Sequence, residues 1–399
     1  MELIIGLVVL LVGAKLLGEV AERIGLPSVI GYIFAGVFAG PQFLNLATAG
    51  EVFAFAELGI ILMLFVTGFK QGNIAELLKN FRAIATVSSF GYFFSYAAVV
   101  LVSLWAGMSF DQAILFGLIL ASTDLGISIE GITSAGKMGT HAGRTMLGVG
   151  VLDSAAGLLI FTLVMTYLSF GGFDPVSMGF VLLSIVAFLA MFMVLQRFVP
   201  AMIEQIEHLT VEQAEFSFAF VFMLFLAFMA QLFGLHGIIG AFLAGALLAH
   251  SPIAGTNFIE KISSISYAIF VPLFFVWTGL LLDFSALTEV SFIMAGAVLV
   301  TTAIGAYAAA RLCSFSDDEG VLMGIALLPR GDINLIIASI GITTIGVGGQ
   351  LLVPPDVGGF MFSSTMLIVL FAAVVTAVLM KIFVKHGYMH MHAAKPKQV

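Results

Sequence analysis

Along the 399-residue chain, apolar stretches of about 15 to 27 residues alternate with short polar or Gly/Pro-containing turns, a rhythm matched to the roughly 20 residues a helix needs to cross bilayer hydrocarbon. The pattern predicts thirteen helical spans, near 2–19, 27–41, 51–70, 83–106, 111–133, 143–169, 178–199, 213–233, 236–250, 263–283, 290–312, 319–346 and 359–384. The expected fold class is therefore an all-α polytopic membrane protein with no soluble domain. The first span lacks a basic leader and a small-residue cleavage site, and its neighbourhood recurs later in the chain, so it is expected to stay in the mature protein.

Composition strengthens this picture: 61% of residues are hydrophobic, 10% are charged, and there are 39 Phe, more apolar surface than a globular interior can hide. The distribution of charge adds an orientation. Of the 15 Lys and Arg residues, all but Arg330 fall near loops that follow odd-numbered spans or in the C-terminal tail, while the opposite loops carry only acids such as Glu51, Asp111, Asp174, Glu289 and Asp356. Basic residues collect on the cytoplasmic side, so the N-terminus is expected outside and the C-terminus in the cytoplasm of a cell inner (plasma) membrane protein. The net charge of −8 is spread thinly over loops and points to no nucleic-acid partner. One cysteine, Cys313, excludes an intrachain disulfide and a cysteine-rich metal site, and no cofactor is expected.

The chain also repeats itself. GLPSVIGYIFAG at 25–36 returns as GLHGIIGAFLAG at 234–245, LFVTG at 64–68 as FVWTG at 275–279, and GLILASTD at 117–124 aligns with GIALLPRGD at 324–332. Seven spans separate equivalent helices, so spans 8–13 repeat spans 1–6 with opposite orientation. Inverted repeats of this kind in secondary transporters place the binding site near the midplane, where discontinuous helices meet. The polar islands mark those helices. Span 5 holds Ser122, Thr123 and Asp124, followed by Ser128 and Glu130; span 12 holds Pro329, Arg330, Gly331 and Asp332; span 6 holds Asp153 and Ser154. A carboxylate at membrane depth costs about 2.5–3.5 kcal/mol, which chains seldom bear without using or pairing it. Pro329 and Gly331 favour an unwound stretch, and Asp124 and Arg330 are placed to compensate the half-helix ends it exposes.

EVAERIGLPSVIGYIFAGVFAGP, FAELGIILMLFVTGF, LHGIIGAFLAGALLAHSP, FVPLFFVWTGLLLDFSAL and PRGDINLIIASIG, in this order and spacing, resemble the monovalent cation:proton antiporter superfamily, which includes sodium/proton exchangers and potassium efflux systems. The resemblance implies two crossed discontinuous helices and a chain divided into a dimer scaffold (1–70 and 213–283), an ion-carrying core (83–169 and 290–384), a connecting helix (178–199) and a short cytoplasmic tail (385–399). It also implies a homodimer in a lipid bilayer, with Asp124 in the crossing motif of span 5. Asp153 falls in the acid pair of span 6, either as its first member with Ser154 as the second, or as the second after Leu152. In both registers one carboxylate stands where some relatives have two.

A group that binds a proton or a cation, but not both, is what antiport requires, and a buried carboxylate meets that need. Hard monovalent cations take oxygen ligands, which Asp153, Asp124, Thr123, Ser122 and Ser154 offer. Arg330 stays protonated and is expected in a salt bridge with Asp332, Glu130 or Asp153, with Arg330, Asp332 and Glu130 read as structural charges. The expected function is exchange of Na+ for H+ by alternating access, with Li+ or K+ as other cargo. The alternatives are a K+/H+ antiporter, an uncoupled channel or sensor, and an intramembrane aspartyl protease. The last is disfavoured because Arg330 beside Asp332 would prevent two acids from sharing a proton.

Overall fold

The computed structural model describes residues 2–71, 80–124, 132, 137, 140–169, 175–207, 210–233, 235, 237–249, 251, 258–343 and 353–393, and among these there is no strand. In chain order the main helices are α1 (Glu2–Arg23), α2 (Ser28–Ala39), α3 (Ala49–Gln71), α4 (Phe81–Trp105), α5 (Phe110–Ala121), α6 (His141–Ser169) and α7 (Pro175–Glu207). They continue with α8 (Ala214–Leu232), α9 (Gly237–Leu248), α10 (Phe258–Leu280), α11 (Glu289–Leu312), α12 (Asp317–Ala326), α13 (Asp332–Thr343) and α14 (Pro355–Ala393). Among the described residues, eight helices are long and apolar enough to cross a membrane: α1, α3, α4, α7, α8, α10, α11 and α14. Helices α2, α5 and α9 are apolar but only 12 residues long.

Local sequence explains where these helices stop and start. Helix α1 ends in a Schellman motif, with Gly25 at φ 81°, Gly25 N–H on Glu22 C=O and Leu26 N–H on Ala21 C=O, and Pro27 follows to prevent continuation. Helices α5 and α12 open alike on serine capping boxes, Ser109 with Gln112 and Ser316 with Glu319, which satisfy otherwise orphaned N–H groups. Within α10, one π-helical turn at Ser266–Phe270 precedes Pro272, whose missing N–H would break a regular ladder at that point.

Packing falls into two groups. Helices α1, α2, α3, α8, α9 and α10 pack on one another, as do α4, α5, α6, α11, α12, α13 and α14. In the first group backbones nearly touch. A Cβ at Gly36 would lie 2.0 Å from the Val276 carbonyl oxygen on α10, and one at Gly245 would lie 2.0 Å from the Phe65 carbonyl oxygen on α3. The two contacts join equivalent segments of the sequence repeat, α2 on α10 and α9 on α3. Small residues let helices approach this closely where apolar surface alone gives no advantage in lipid.

Helix α7 is the least covered of the eight long helices, and its Leu183, Val186, Val194 and Phe198 face outward. The two salt bridges found among the described residues, Arg23–Glu19 and Arg311–Asp317, are exposed. Exposed pairs contribute little, so packing and buried hydrogen bonds hold the bundle together.

Candidate functional site

Helix α5 is buried from Leu115 to Ala121 and then stops, with Ser122 in extended conformation. Helix α12 stops at Ala326, and α13 begins only at Asp332. The break predicted at Pro329–Gly331 is thus present. Residues 125–131 of span 5, including Ser128 and Glu130, lie outside the described residues.

The two unwound stretches are joined directly. Asp124 N–H donates to the Pro329 carbonyl at 3.0 Å, and the Thr123 hydroxyl reaches the Leu327 carbonyl at 3.4 Å. Asn334, on the first turn of α13, completes the junction. Its Nδ2 donates to the Ile119 and Ser122 carbonyls (2.7 and 3.0 Å), which α5 leaves free at its end, while its Oδ1 accepts from Gly331 N–H at 2.8 Å. One side chain therefore satisfies groups both at the end of α5 and at the break before α13, as buried backbone requires in a membrane.

Arg330 is fully buried. Its guanidinium donates to the Leu327 and Pro329 carbonyls (2.9 and 3.2 Å) and to the hydroxyls of Thr123, Ser95 and Thr302 (3.3, 2.9 and 2.8 Å). Two of those acceptors are carbonyls just beyond α12, so the cation lies at the negative end of that half-helix. Ser95 in turn donates to the Leu120 carbonyl near the end of α5. The expected salt bridge is not found among the described residues: Asp153 acts on Arg330 electrostatically but not within ion-pair distance. Hydroxyl and carbonyl oxygens on α4, α11, the stretch just after α5 and the α12 break take up its two Nη groups instead, and Nε has no hydrogen bond among the described residues. Glu130 and the side chain of Asp332, the other partners considered, lie outside the described residues.

Asp124 sits at the opposite pole. Its carboxylate occupies the space beside Gly331, at the start of α13, where the exposed N–H groups favour an anion. A Cβ at 331 would fall 1.6 Å from Asp124 Oδ2 and 2.6 Å from its Cγ. Gly331→Ala is therefore expected to destabilise the fold by about 1–3 kcal/mol, the range for overpacking. In an Asp124→Ala background most of that cost should vanish, because the colliding atoms are gone. Thermal unfolding of the four proteins in detergent checks it; additive effects would show that the collision is not the cause.

Asp153, at the middle of α6, is fully buried. Its Oδ1 accepts a short hydrogen bond from Ser88 on α4, and the Thr123 hydroxyl also acts on the carboxylate. Oδ2 has no hydrogen bond of ordinary geometry among the described residues. One turn on, Ser122 packs over Gly157, its Cβ 3.5 Å from where a Cβ on that glycine would stand. The structure thus brings Asp153, Thr123, Ser122 and Arg330 to one buried crossing, with Asp124 on its α13 side. The side chain of Ser154 lies outside the described residues.

Four of the residues that build this crossing were not singled out in the sequence: Ser88, Ser95, Thr302 and Asn334. Ser88, Tyr92 and Ser95 share a face of α4 at i, i+4 and i+7, a spacing that carries the signal. A carboxylate in hydrocarbon with one oxygen unpartnered can take either a proton or a cation, and the neutral hydroxyls around it complete an oxygen-rich setting for a hard ion.

A profile of the transmembrane sodium/hydrogen exchanger family matches residues 6–386. The chain is 31% identical over 343 residues to the probable Na(+)/H(+) antiporter GerT of Bacillus cereus, covering 84% of this chain and 90% of that one. It is also 31% identical to the Na(+)/H(+)-K(+) antiporter GerN of Bacillus cereus, over 86% and 89% of the two chains. The sodium proton antiporter MjNhaP1 of Methanocaldococcus jannaschii shares the fold, with a TM-score of 0.71 at 16% identity over 96% of this chain and 99% of that one.

Proposed function

Because the chain belongs to the transmembrane sodium/hydrogen exchanger family, we propose that it exchanges Na+ for H+ across its membrane, with Asp153 binding the two ions in turn. The observation that carries this assignment is a fully buried carboxylate with one oxygen lacking a hydrogen bond of ordinary geometry among the described residues, beside the junction of the α5 end with the α12–α13 break. Bound to a proton, Asp153 is neutral and tolerates burial. Bound to Na+, its charge is offset by the ion, with Thr123, Ser122 and Ser154 as further oxygen donors. The empty anion is the costly state, and that cost couples the two movements. Asp124 and Arg330 serve as fixed charges at the half-helix ends, and Asp332 and Glu130 as structural charges.

In this reading thirteen spans form an inverted repeat, spans 1–6 on 8–13. The matched Gly36–Val276 and Gly245–Phe65 contacts and the matched capping boxes of α5 and α12 support it. The group α1, α2, α3, α8, α9 and α10 is the scaffold through which two copies pair, and the other group is the core that moves against it, joined through α7. The N-terminus lies outside and the C-terminus in the cytoplasm of the plasma membrane.

K+ as a second cargo is the competing reading, favoured by likeness to a relative whose name includes K+. Proton flux in proteoliposomes, with Na+, K+ and Li+ added in turn and with or without a membrane potential, tests both. Na+-driven proton movement is expected. Cation flux without proton movement would indicate a channel, and K+-driven movement alone would reassign the cargo.

A further inference from the structure

Helix α4 supplies no carboxylate, and nothing in its apolar, Phe-rich sequence sets it apart as an ion-binding element. Its inward face is nevertheless hydroxylated at the point where it meets α6. Ser88 is buried and donates its only hydroxyl hydrogen to Asp153 Oδ1. A hydroxyl that donates one hydrogen bond keeps two lone pairs on its oxygen. That oxygen is thus fixed next to the carboxylate with its acceptor side unspent, while Oδ2 of the same carboxylate has no hydrogen bond of ordinary geometry among the described residues. One turn along the same face, the Tyr92 hydroxyl is buried, is electrostatically coupled to Asp153, and also has no hydrogen-bond partner among the described residues. Two oxygens with unused acceptor capacity, on Ser88 and Asp153, therefore stand side by side, and a third polar group, the Tyr92 hydroxyl, lies one turn along the same helix.

We propose that Ser88 is a ligand of the transported cation, so that α4 joins α5 and α6 in forming the ion site and helps to set its selectivity. The inference rests on the assignment of Asp153 as the ion-binding acid. Proton-bound Asp153 and Ser88 hold each other by hydrogen bonding; when the proton leaves and the cation enters, the Ser88 oxygen turns a lone pair to the ion. A serine that only positioned the carboxylate would affect all cations alike. A ligand would not, because a thiol in its place is a poor partner for hard Na+ and a better one for a soft ion of the same charge such as Tl+.

The test uses the full-length protein in proteoliposomes, reading proton movement against Na+ and Tl+ concentration. Wild type is measured first, and absence of Na+-driven movement there would refute the proposed function itself rather than the role of Ser88. In Ser88→Cys the half-saturating Na+ concentration is expected to rise about tenfold, the scale of one lost hydrogen-bond-strength contact, with Tl+ much less affected. The preference between the two ions should then shift by nearly the same factor. Ser88→Thr, which keeps the hydroxyl, should restore the wild-type preference. Equal changes for both ions, or none, would overturn the proposal and leave Ser88 as a positioning residue. If Ser88→Cys does not fold, Ser88→Ala decides by the same comparison: a roughly tenfold rise in half-saturating Na+ with Tl+ much less affected supports ligation, and equal changes for both ions, or none, refute it.

Discussion

Asp153→Asn is expected to reduce Na+-driven proton movement to that of protein-free liposomes, with folded yield close to wild type. The amide fills the same volume and can still accept from Ser88, so the packing of α6 against α4 should survive. What it loses is the capacity to carry a proton at one moment and to neutralise a cation at the next, and no other side chain shown at the crossing combines full burial with that chemistry. Flux and size-exclusion profiles of the same preparation check the two halves of this expectation. Retained exchange would remove Asp153 from the ion pathway; lost yield would make it a structural acid.

Arg330→Ala has the opposite profile. The guanidinium bonds to hydroxyls on α4, on α11 and just past the end of α5, and to two carbonyls in the α12 break. Its removal leaves a large hole at the junction and withdraws the positive charge from the end of α12. Deleting a large buried side chain costs about 2–5 kcal/mol through the cavity alone. A marked fall in unfolding temperature and yield is therefore expected, with Arg330→Lys recovering part of both, since three ammonium hydrogens can satisfy some but not all of these acceptors. Normal stability with lost transport would assign Arg330 a direct part in ion movement.

Much of this arrangement was legible in the residues. Pro329 and Gly331 lack, respectively, a donor and a side chain, so the interruption between α12 and α13 could be placed from sequence, and Ser122–Asp124 marked the end of α5 equally well. The returning glycine pattern at 25–36 and 234–245 anticipated the close contacts made by Gly36 and Gly245. Among the described residues Arg330 has no carboxylate at ion-pair distance, and there is a physical reason why it can do without one. A buried guanidinium needs hydrogen-bond acceptors on all sides, and neutral hydroxyls and helix-end carbonyls can provide them without a second buried charge. Such hydroxyls leave little trace in a hydropathy profile. Ser88, Ser95 and Thr302 cost little in a helix because they can bond to backbone carbonyls, as Thr302 does to Val298 and Ser95 does to Leu120. Asn334 was hidden for another reason: its role depends on which half-helix ends come together, and that is a property of the tertiary fold.

If proton and Na+ compete for the single carboxylate of Asp153, acidity must act on apparent affinity rather than on maximal rate. The decisive measurement is the half-saturating Na+ concentration for exchange in proteoliposomes across a pH series. On the acid side it should rise about tenfold for each unit fall in pH, the 1.4 kcal/mol per unit of one competing proton, with the maximal rate recovered at saturating Na+. A half-saturating concentration that stays constant while the maximal rate falls would show that the proton and the cation bind at different places, and would contradict exchange at Asp153.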